Sequence, residues 1–348
     1  MNVKLRAAGD ETYDDNITYI KASPLNDFIT HLNLGVDAIA EEKLQSIKLS
    51  GDVHEYIFAD HGNFDNTAEQ AAIDFSREFS KRDRIHLNDT YSHTYEPQSF
   101  EDAFGRSRGR YGYHRNNFSI SYEKDVLKQL TLGARYSNQA NLITTSDIRD
   151  SYLNLAGADA VYHFDSKMQA GVSYDFSQRS FENGGGDSHT HGLSATVRHY
   201  LTEKLYFDGK AGADFITGFD GSDLVRPHFE ASLTEEISKV TTGQISFRKE
   251  YNTSSFASDL FNEWRVSAFL TRYFTERFKA SASVFYGEGE YPGLARTDKL
   301  SGAAIGLSYD LKKNLSGNIQ YSYSNVNSTQ SDQEYTKNSV SVGLSSEF

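Results

Sequence analysis

The sequence predicts an all-β protein: a single closed, antiparallel up-and-down β-barrel of about 18 strands that spans a membrane. Three observations predict this fold class. Apolar and polar residues alternate along nearly all of the 348 residues. Short charged turns recur roughly every 40 residues, with longer polar segments between them. No stretch approaches the ~18 consecutive apolar residues that a membrane-spanning helix needs.

The predicted strands are periodic with period two, which places alternate residues on opposite faces of a strand. The clearest examples are residues 168–176, 303–311 and 340–348. Strands of about 12 to 16 residues are longer than the usual ~5–6 of globular proteins. A soluble β-sandwich is the alternative, but it typically has seven to nine strands. Closure of the sheet also removes exposed strand edges, which favours the barrel.

The turns predict the strand count and the orientation. Eight short turns divide the chain into nine hairpins, and both termini then lie on the short-turn side, which we expect to be periplasmic. The four prolines, Pro24, Pro97, Pro227 and Pro292, fall in or at the edge of the predicted long loops, where a missing N–H is tolerated. The short turns are predicted at 41–43, 81–84, 123–125, 165–167, 202–204, 238–239, 275–277 and 312–314, and the long loops include 96–107, 141–151, 182–189, 252–261, 287–299 and 325–334.

Each strand has an apolar set of residues, predicted to face lipid, and a polar set, predicted to face the lumen. A dry core would not accept so many charges, whereas a barrel of 16–18 strands leaves an aqueous channel. Arg77, Asp89 and Lys249 fall on the apolar side and break the pattern. The predicted lumen-facing residues are Lys4, Arg6, Arg135, Asp159, Asp175, Arg179, Arg198, Asp208, Lys210, Asp214, Glu230, Arg248, Glu250 and Arg265, with the aromatic residues Tyr200, Tyr206, Phe269 and Phe285.

Composition excludes several classes of function. The chain has no cysteine, so thiol chemistry and disulfides are excluded. A net charge of −13 argues against nucleic acid as a partner, because phosphate binding needs clustered Lys and Arg. The chain has no phosphate loop and no H-E-x-x-H pair, and we expect no enzyme and no cofactor.

Three segments are weak candidates for metal ligands, and we expect no metal site in any of them. The histidines of His189-Thr190-His191 share one side of a strand but lack an identifiable third ligand. Residues 60–66 lack the spacing and the terminal Glu of a calcium loop. The acidic run over residues 10–16 is typical of a solvated edge.

The last strand has the pattern of an assembly signal. Outer-membrane barrels resemble one another in a C-terminal strand that ends in Phe, and here Ser341, Gly343 and Phe348 match that pattern, whereas Ser346 departs from its usual apolar residue. The partner expected for this strand is the barrel assembly machinery. The first residues contain no signal peptide, so the barrel interpretation expects a longer natural precursor.

Two N-terminal segments resemble an outer-membrane β-barrel porin family associated with exopolysaccharide and capsule export. They are Tyr13-Asp14-Asp15-Asn16-Ile17, followed by Asp27-Phe28-Ile29-Thr30, and the run 85–92 followed by Glu96-Pro97. The resemblance implies an 18-stranded barrel over residues 1–348, in the outer membrane, through which a glycan chain passes. It transfers no catalytic residues.

Three functional hypotheses follow. The first is a polysaccharide export channel with a wide polar lumen, which would work with periplasmic export components. The second is a general or ion-selective diffusion porin for small solutes. Because the predicted loops are only about a dozen residues long, we expect no inward-folded constriction, and hence either an open pore or an external plug. The third is a barrel that anchors envelope partners without transport. In all three, lipid and lipopolysaccharide surround the barrel.

Overall fold

The computed structural model is a closed barrel of 18 antiparallel strands, which confirms the predicted fold class. It describes residues 2–95, 110–144, 149–182, 186–218, 220–253 and 260–348. Each strand pairs with its neighbours in sequence, and β1 also pairs with β18, which closes the sheet. The strands are β1 (Asn2–Asp14), β2 (Asp27–Glu41), β3 (Gln45–Phe58), β4 (Asn66–Ser80), β5 (Asp83–Thr94), β6 (Tyr113–Asp125), β7 (Leu130–Ile143), β8 (Ser151–His163), β9 (Met168–Phe181), β10 (Asp187–Tyr200), β11 (Leu205–Thr217), β12 (Asp223–Ser238), β13 (Thr241–Thr253), β14 (Leu260–Tyr273), β15 (Phe278–Tyr291), β16 (Arg296–Lys312), β17 (Leu315–Ser328) and β18 (Tyr335–Glu347).

The two ends of the barrel differ. At the short-turn end the connections are only two to four residues long, and both termini lie there. At the other end, which we call the mouth, the connections include the segment between β1 and β2. Among the described residues there, 3-10 turns lie at Gly62–Phe64, Pro292–Leu294 and Ser331–Gln333. None of the helices among the described residues is long and apolar enough to cross a membrane.

The strands extend further toward the mouth than the sequence pattern predicts. The predicted loop 287–299 shrinks to residues 292–295, because β15 continues to Tyr291 and β16 begins at Arg296. The run Gly287–Tyr291 has few apolar residues, but backbone pairing to β14 and β16 does not require them. The connection between β5 and β6 is longer than predicted, and residues 96–109, with Pro97, lie outside the described residues.

Pro227 lies within β12 and not in a loop, which corrects its predicted position. It pairs with Ala213 of β11, whereas the ladder between β12 and β13 begins only at Phe229 and Lys249. A proline is tolerated there because that side of the strand needs no ladder N–H.

The strand register separates two faces of the sheet. One face carries large exposed apolar side chains, such as Leu34, Ile245 and Leu344. The opposite face carries buried apolar residues, and among the described residues they form three clusters near the mouth, of which the smallest is Tyr111 with Tyr113. The first cluster consists of Phe261, Tyr291, Leu300, Val326 and Tyr335, and the second of Ile17, Ile29 and Phe58.

Candidate functional site: the inner wall and the mouth

The polar face of the sheet is the candidate functional surface, and we infer that it lines the lumen. Cross-strand pairs connect its charged residues: Lys210 lies opposite Glu230, and Glu230 lies opposite Arg248. A closed sheet has only an inner and an outer face, and the exposed apolar face is suited to lipid. The register places on the polar face all the candidates from the sequence: Lys4, Arg6, Arg135, Asp159, Asp175, Arg179, Arg198, Asp208, Lys210, Asp214, Glu230, Arg248, Glu250, Arg265, Tyr200, Tyr206, Phe269 and Phe285.

One arginine on this face bridges two aspartates near β1. The Nε atom of Arg6 lies 3.0 Å from an oxygen of Asp37, and an Nη atom lies 2.9 Å from an oxygen of Asp52. Gly35 lies between them, and a Cβ added there would stand 2.3 Å from Asp52 Oδ1. Because Gly35 has no side chain, Arg6 can lie between Asp37 and Asp52 without a steric clash. Near the short-turn end, Lys4 pairs with Glu347 of β18 across the closure of the barrel.

The same arrangement recurs across β7, β8 and β9. The two Nη atoms of Arg135 lie 2.9 Å from Asp159 and 2.5 Å from Asp175. A Cβ at Gly157 would stand 2.2 Å from Asp175 Oδ1 and 2.9 Å from Arg135 Nε. Each triad thus places a guanidinium over a glycine and between two carboxylates on neighbouring strands, a geometry that fixes the cation on the wall.

A belt of paired charges crosses β10 to β14. Arg198 pairs with Asp208 at 2.5 Å, and Lys210 reaches Glu230 at 3.5 Å. Further along, Glu263 accepts hydrogen bonds from both Arg248 and Arg265. A cavity of about 550 Å³ lies against this wall. The belt therefore offers a solute both signs of charge within a few ångströms.

Histidines extend these networks, and the sequence analysis did not select them. His31 bonds Asp10 at 2.8 Å and His54 at 3.0 Å. On the other side of the barrel, His228 links Asp214 to Ser194. The sequence could have identified these histidines, because each lies an even number of residues from polar residues of its own strand. Residues so spaced point to the same face of a strand.

The connection between β1 and β2 folds into the mouth, contrary to the expectation of no inward-folded constriction. We call residues 15–26 the mouth segment. Ile17 of this segment has no exposed surface and packs against Ile29 and Phe58 on the inner face. Nε of Arg110 donates a 2.6 Å hydrogen bond to the carbonyl of Ile17. The length of the connection did not predict that it would dock on the inner face. A few apolar and aromatic side chains, here Ile17 and Tyr19, are enough to hold a short segment there.

Polar contacts hold the mouth segment against β18. Asp15 accepts hydrogen bonds of 2.7 Å from both the backbone and the side-chain amide of Asn338. Nζ of Lys337 lies 2.6 Å from Asp14 and 4.0 Å from the ring centre of Tyr19. The ring of Tyr19 meets Tyr335 edge-on. The segment thus contacts the inner face on both sides of β1, at β18 and at β2 and β3.

The electrostatics of the mouth segment favour its docked position. Burial raises the pKa of the Tyr19 phenol, but Lys337 and Arg110 outweigh this effect, so that its pKa lies below the ordinary value. At the exposed edge, Lys21 lies 2.6 Å from Glu334, and its hydrogen bond lowers the pKa of that carboxyl.

The weak metal-ligand candidates remain dispersed. His191 bonds the hydroxyl of Tyr174, and His189 stacks on Phe176, both on the apolar outer face. In the 60–66 segment, the backbone N–H groups of Asp60 and His61 bind the carboxylate of Asp27. The described parts of the chain contain no cluster of three or more His, Asp or Glu side chains able to hold a metal ion.

The proposed assembly-signal residues lie at the closure of the barrel. Gly343 pairs with Asp10, and Ser341 pairs with Thr12. The backbone of Phe348 makes two hydrogen bonds with Leu5, of 2.9 and 3.0 Å, and its ring is exposed. The terminal residue therefore completes the ladder between the last strand and the first.

Comparison with known proteins supports the porin interpretation. Residues 222–348 match the family described as "Putative beta-barrel porin 2". This match lies in the C-terminal third of the chain and not over the N-terminal segments that suggested a porin family. A comparison with curated protein sequences found no match.

The whole chain is similar in fold to solved outer-membrane porins. OccK2 (OpdF) of Pseudomonas aeruginosa is 12% identical with a TM-score of 0.54, and the alignment covers 99% of this chain and 97% of that one. OccAB4 of Acinetobacter baumannii is 11% identical with a TM-score of 0.52, over 100% and 99% of the two chains. The outer membrane protein OpdK of Pseudomonas aeruginosa is 10% identical, also with a TM-score of 0.52, over 100% and 99%. The chain therefore has the 18-stranded barrel fold of bacterial outer-membrane porins, and its last third carries the sequence pattern of a β-barrel porin family.

Proposed function

We propose that this protein is a diffusion channel for small polar solutes in the bacterial outer membrane, with its short turns and both termini in the periplasm. The observation that carries the proposal is the inner wall of paired charges, together with the mouth segment that packs on the inner face at the entrance. Closely paired charges bind water and small polar solutes without a strong preference for either sign. Because the mouth segment occupies the entrance, we expect the channel to favour solutes over polymers.

Its surroundings follow from the same proposal. The exposed apolar face would contact lipid and lipopolysaccharide, and the last strand, with Ser341, Gly343 and Phe348, would be read by the barrel assembly machinery. The candidate residues of the inner wall would contact the permeating solute. We propose no enzymatic role.

Single-channel recording in a planar bilayer tests the proposal. We expect steady, ohmic steps of current with weak ion selectivity from the refolded protein. A protein that is folded, as judged by heat-dependent migration in gels, but passes no current would contradict a diffusion channel.

A polysaccharide export channel is the second candidate, and one observation favours it. The inner face presents an exposed aromatic ring, Phe269, 47% of whose surface is accessible. A gene deletion that leaves surface polysaccharide unchanged, while uptake of small solutes falls, would decide for the diffusion channel. Loss of surface polysaccharide would decide for export, and periplasmic export components would then be the partners to seek.

A further inference from the structure

Aromatic side chains follow the inner face of β14 and β15 from the mouth into the lumen. Near the mouth, Phe261 and Tyr291 stack with ring centres 4.6 Å apart. Deeper along the wall, Phe285 lies opposite Ser267, and Phe269 lies opposite Ser283. Phe285 and Phe269 are therefore diagonal neighbours on paired strands. We call these four residues the aromatic track.

The track is continuous with the mouth segment. Tyr19 and Phe285 both pack against the buried cluster that contains Phe261 and Tyr291. Aromatic side chains therefore lie at intervals along this wall from the entrance to Phe269.

Phe269 is the exposed end of this track. Other large side chains on the inner face near the mouth are covered, whereas 47% of Phe269 is accessible. Exposure of a phenyl ring to water is unfavourable by roughly 25 cal/mol per Å² of apolar surface. A ligand with an apolar face of its own would remove this surface from water.

The neighbours of Phe269 are hydrogen-bonding groups. In the ladders it lies between Gln244 of β13 and Ser283 of β15, and Ser267 and Thr271 flank it on the same face of its own strand. A purely apolar ligand would leave these groups without partners, which costs free energy.

Charged groups follow the same strands nearer the mouth. The guanidinium carbon of Arg265 lies 5.6 Å from the ring centre of Phe285, and Arg265 donates to Glu263. Glu263 also accepts from Arg248 on β13. Charged hydrogen-bonding groups thus follow the aromatic rings along one wall.

We propose that the wall formed by β13, β14 and β15 is a saccharide-binding site, with Phe269 as its stacking platform. A pyranose ring has an apolar face of C–H groups and a rim of hydroxyls, and this wall provides a counterpart for each: phenyl faces for the C–H groups, and amide, hydroxyl and charged groups for the rim. The ligand class is a neutral mono- or oligosaccharide. The inference rests on the proposed diffusion channel and names one class of solute for it.

The test is current block by maltose and maltohexaose added to single channels in a planar bilayer. We expect both sugars to interrupt the current of the native protein in a concentration-dependent way, with longer interruptions for the hexasaccharide. Phe269→Ala should weaken the apparent affinity about fivefold, because an aromatic stacking contact contributes about 1 kcal/mol. Phe269→Tyr keeps the aromatic face and should retain the block.

Phe247→Ala is the matched control, because Phe247 lies on the neighbouring strand β13 and its exposed ring is on the opposite, apolar face. Sugar block in that variant should equal that of the native protein. Normal current without sugar block, or block that is unchanged in Phe269→Ala, would overturn the saccharide site alone. The absence of any current from folded protein would instead overturn the proposed channel.

Discussion

The inner wall depends on single arginines that each hold two carboxylates. Arg135 is the clearest case, since it pairs with both Asp159 and Asp175 and is about one third exposed. Removal of the guanidinium leaves two aspartates facing each other without a cation between them.

We therefore expect Arg135→Ala to lower the free energy of unfolding by about 1 to 2 kcal/mol, below the 3–5 kcal/mol of a fully buried pair because water screens this one. The two unpaired carboxylates should also shift the reversal potential toward cations. Urea unfolding followed by tryptophan fluorescence, together with reversal potentials in a salt gradient, measures both effects. Arg77→Ala removes the same charge from the outer face, so an equal shift in selectivity in that variant would contradict a local effect on the lumen.

The ion pair between Lys21 and Glu334 predicts a pH dependence of the mouth. The lowered pKa of Glu334 means that the pair contributes fully above the ordinary pKa of 4.5 and is lost as the pH falls through the lowered value. We expect the mean conductance to rise as the pH falls below 4.5 and through the lowered pKa of Glu334, because the mouth segment then loosens.

Glu334→Gln should show part of that rise already at pH 7, with a flatter pH profile. The control is Glu290→Gln, since Glu290 lies at the mouth end of β15 but on the outer face. A Glu334→Gln channel that follows the native pH profile would show that this pair does not hold the segment.

Among the structural elements, the mouth segment is the one whose removal we expect to change the single-channel conductance most. Replacement of residues 17–25 by a short Gly-Ser connection removes Ile17 and Tyr19 from the entrance and should increase single-channel conductance, because a wider mouth lowers the access resistance. The measurement is the conductance of channels that keep heat-dependent migration. As a control, the 201–204 turn at the other end of the barrel is exchanged for another tight turn, and conductance should then stay unchanged. Equal conductance in the two variants would mean that the segment does not narrow the path.

The closing pair of strands carries a prediction about assembly. Phe348 pairs by its backbone with Leu5 and presents its ring on the outer surface. Phe348→Ala should reduce the fraction of heat-modifiable barrel in the outer membrane several-fold, whereas Phe348→Tyr should keep it close to the native fraction. Refolding both variants in detergent, without the assembly machinery, tests whether the substitution destabilises the barrel itself. We expect both to refold, because the hydrogen bonds between Phe348 and Leu5 use only the backbone. Normal membrane assembly of the alanine variant would contradict a signal at this residue.

The whole molecule carries a net charge of −13, whereas the charged side chains of its inner wall are largely paired with one another. We expect a weak preference for cations at 0.1 M salt that disappears near 1 M, because the Debye length falls from about 10 Å to about 3 Å. Reversal potentials in potassium chloride gradients at the two mean concentrations test this. A strong preference that persists at high salt would point to an unpaired charged constriction.

The barrel and its 18 strands could be predicted from the amino-acid sequence. This was possible because period-two alternation and regularly spaced turns are local properties: Arg135 and Phe269 have their parity whatever the rest of the chain does. The lengths of strands such as β15 were less predictable, since the backbone pairs of Gly287–Tyr291 depend on neighbouring strands and not on apolar side chains.

Which charges meet, and what occupies the mouth, depend on the three-dimensional arrangement of the strands. The pairing of Arg6 with both Asp37 and Asp52 requires the register of three strands. The contact of Tyr19 with Lys337 joins residues at the two ends of the chain and exists only because β1 pairs with β18. Closure of the barrel brings such distant residues together, and no local pattern in the sequence encodes that distance.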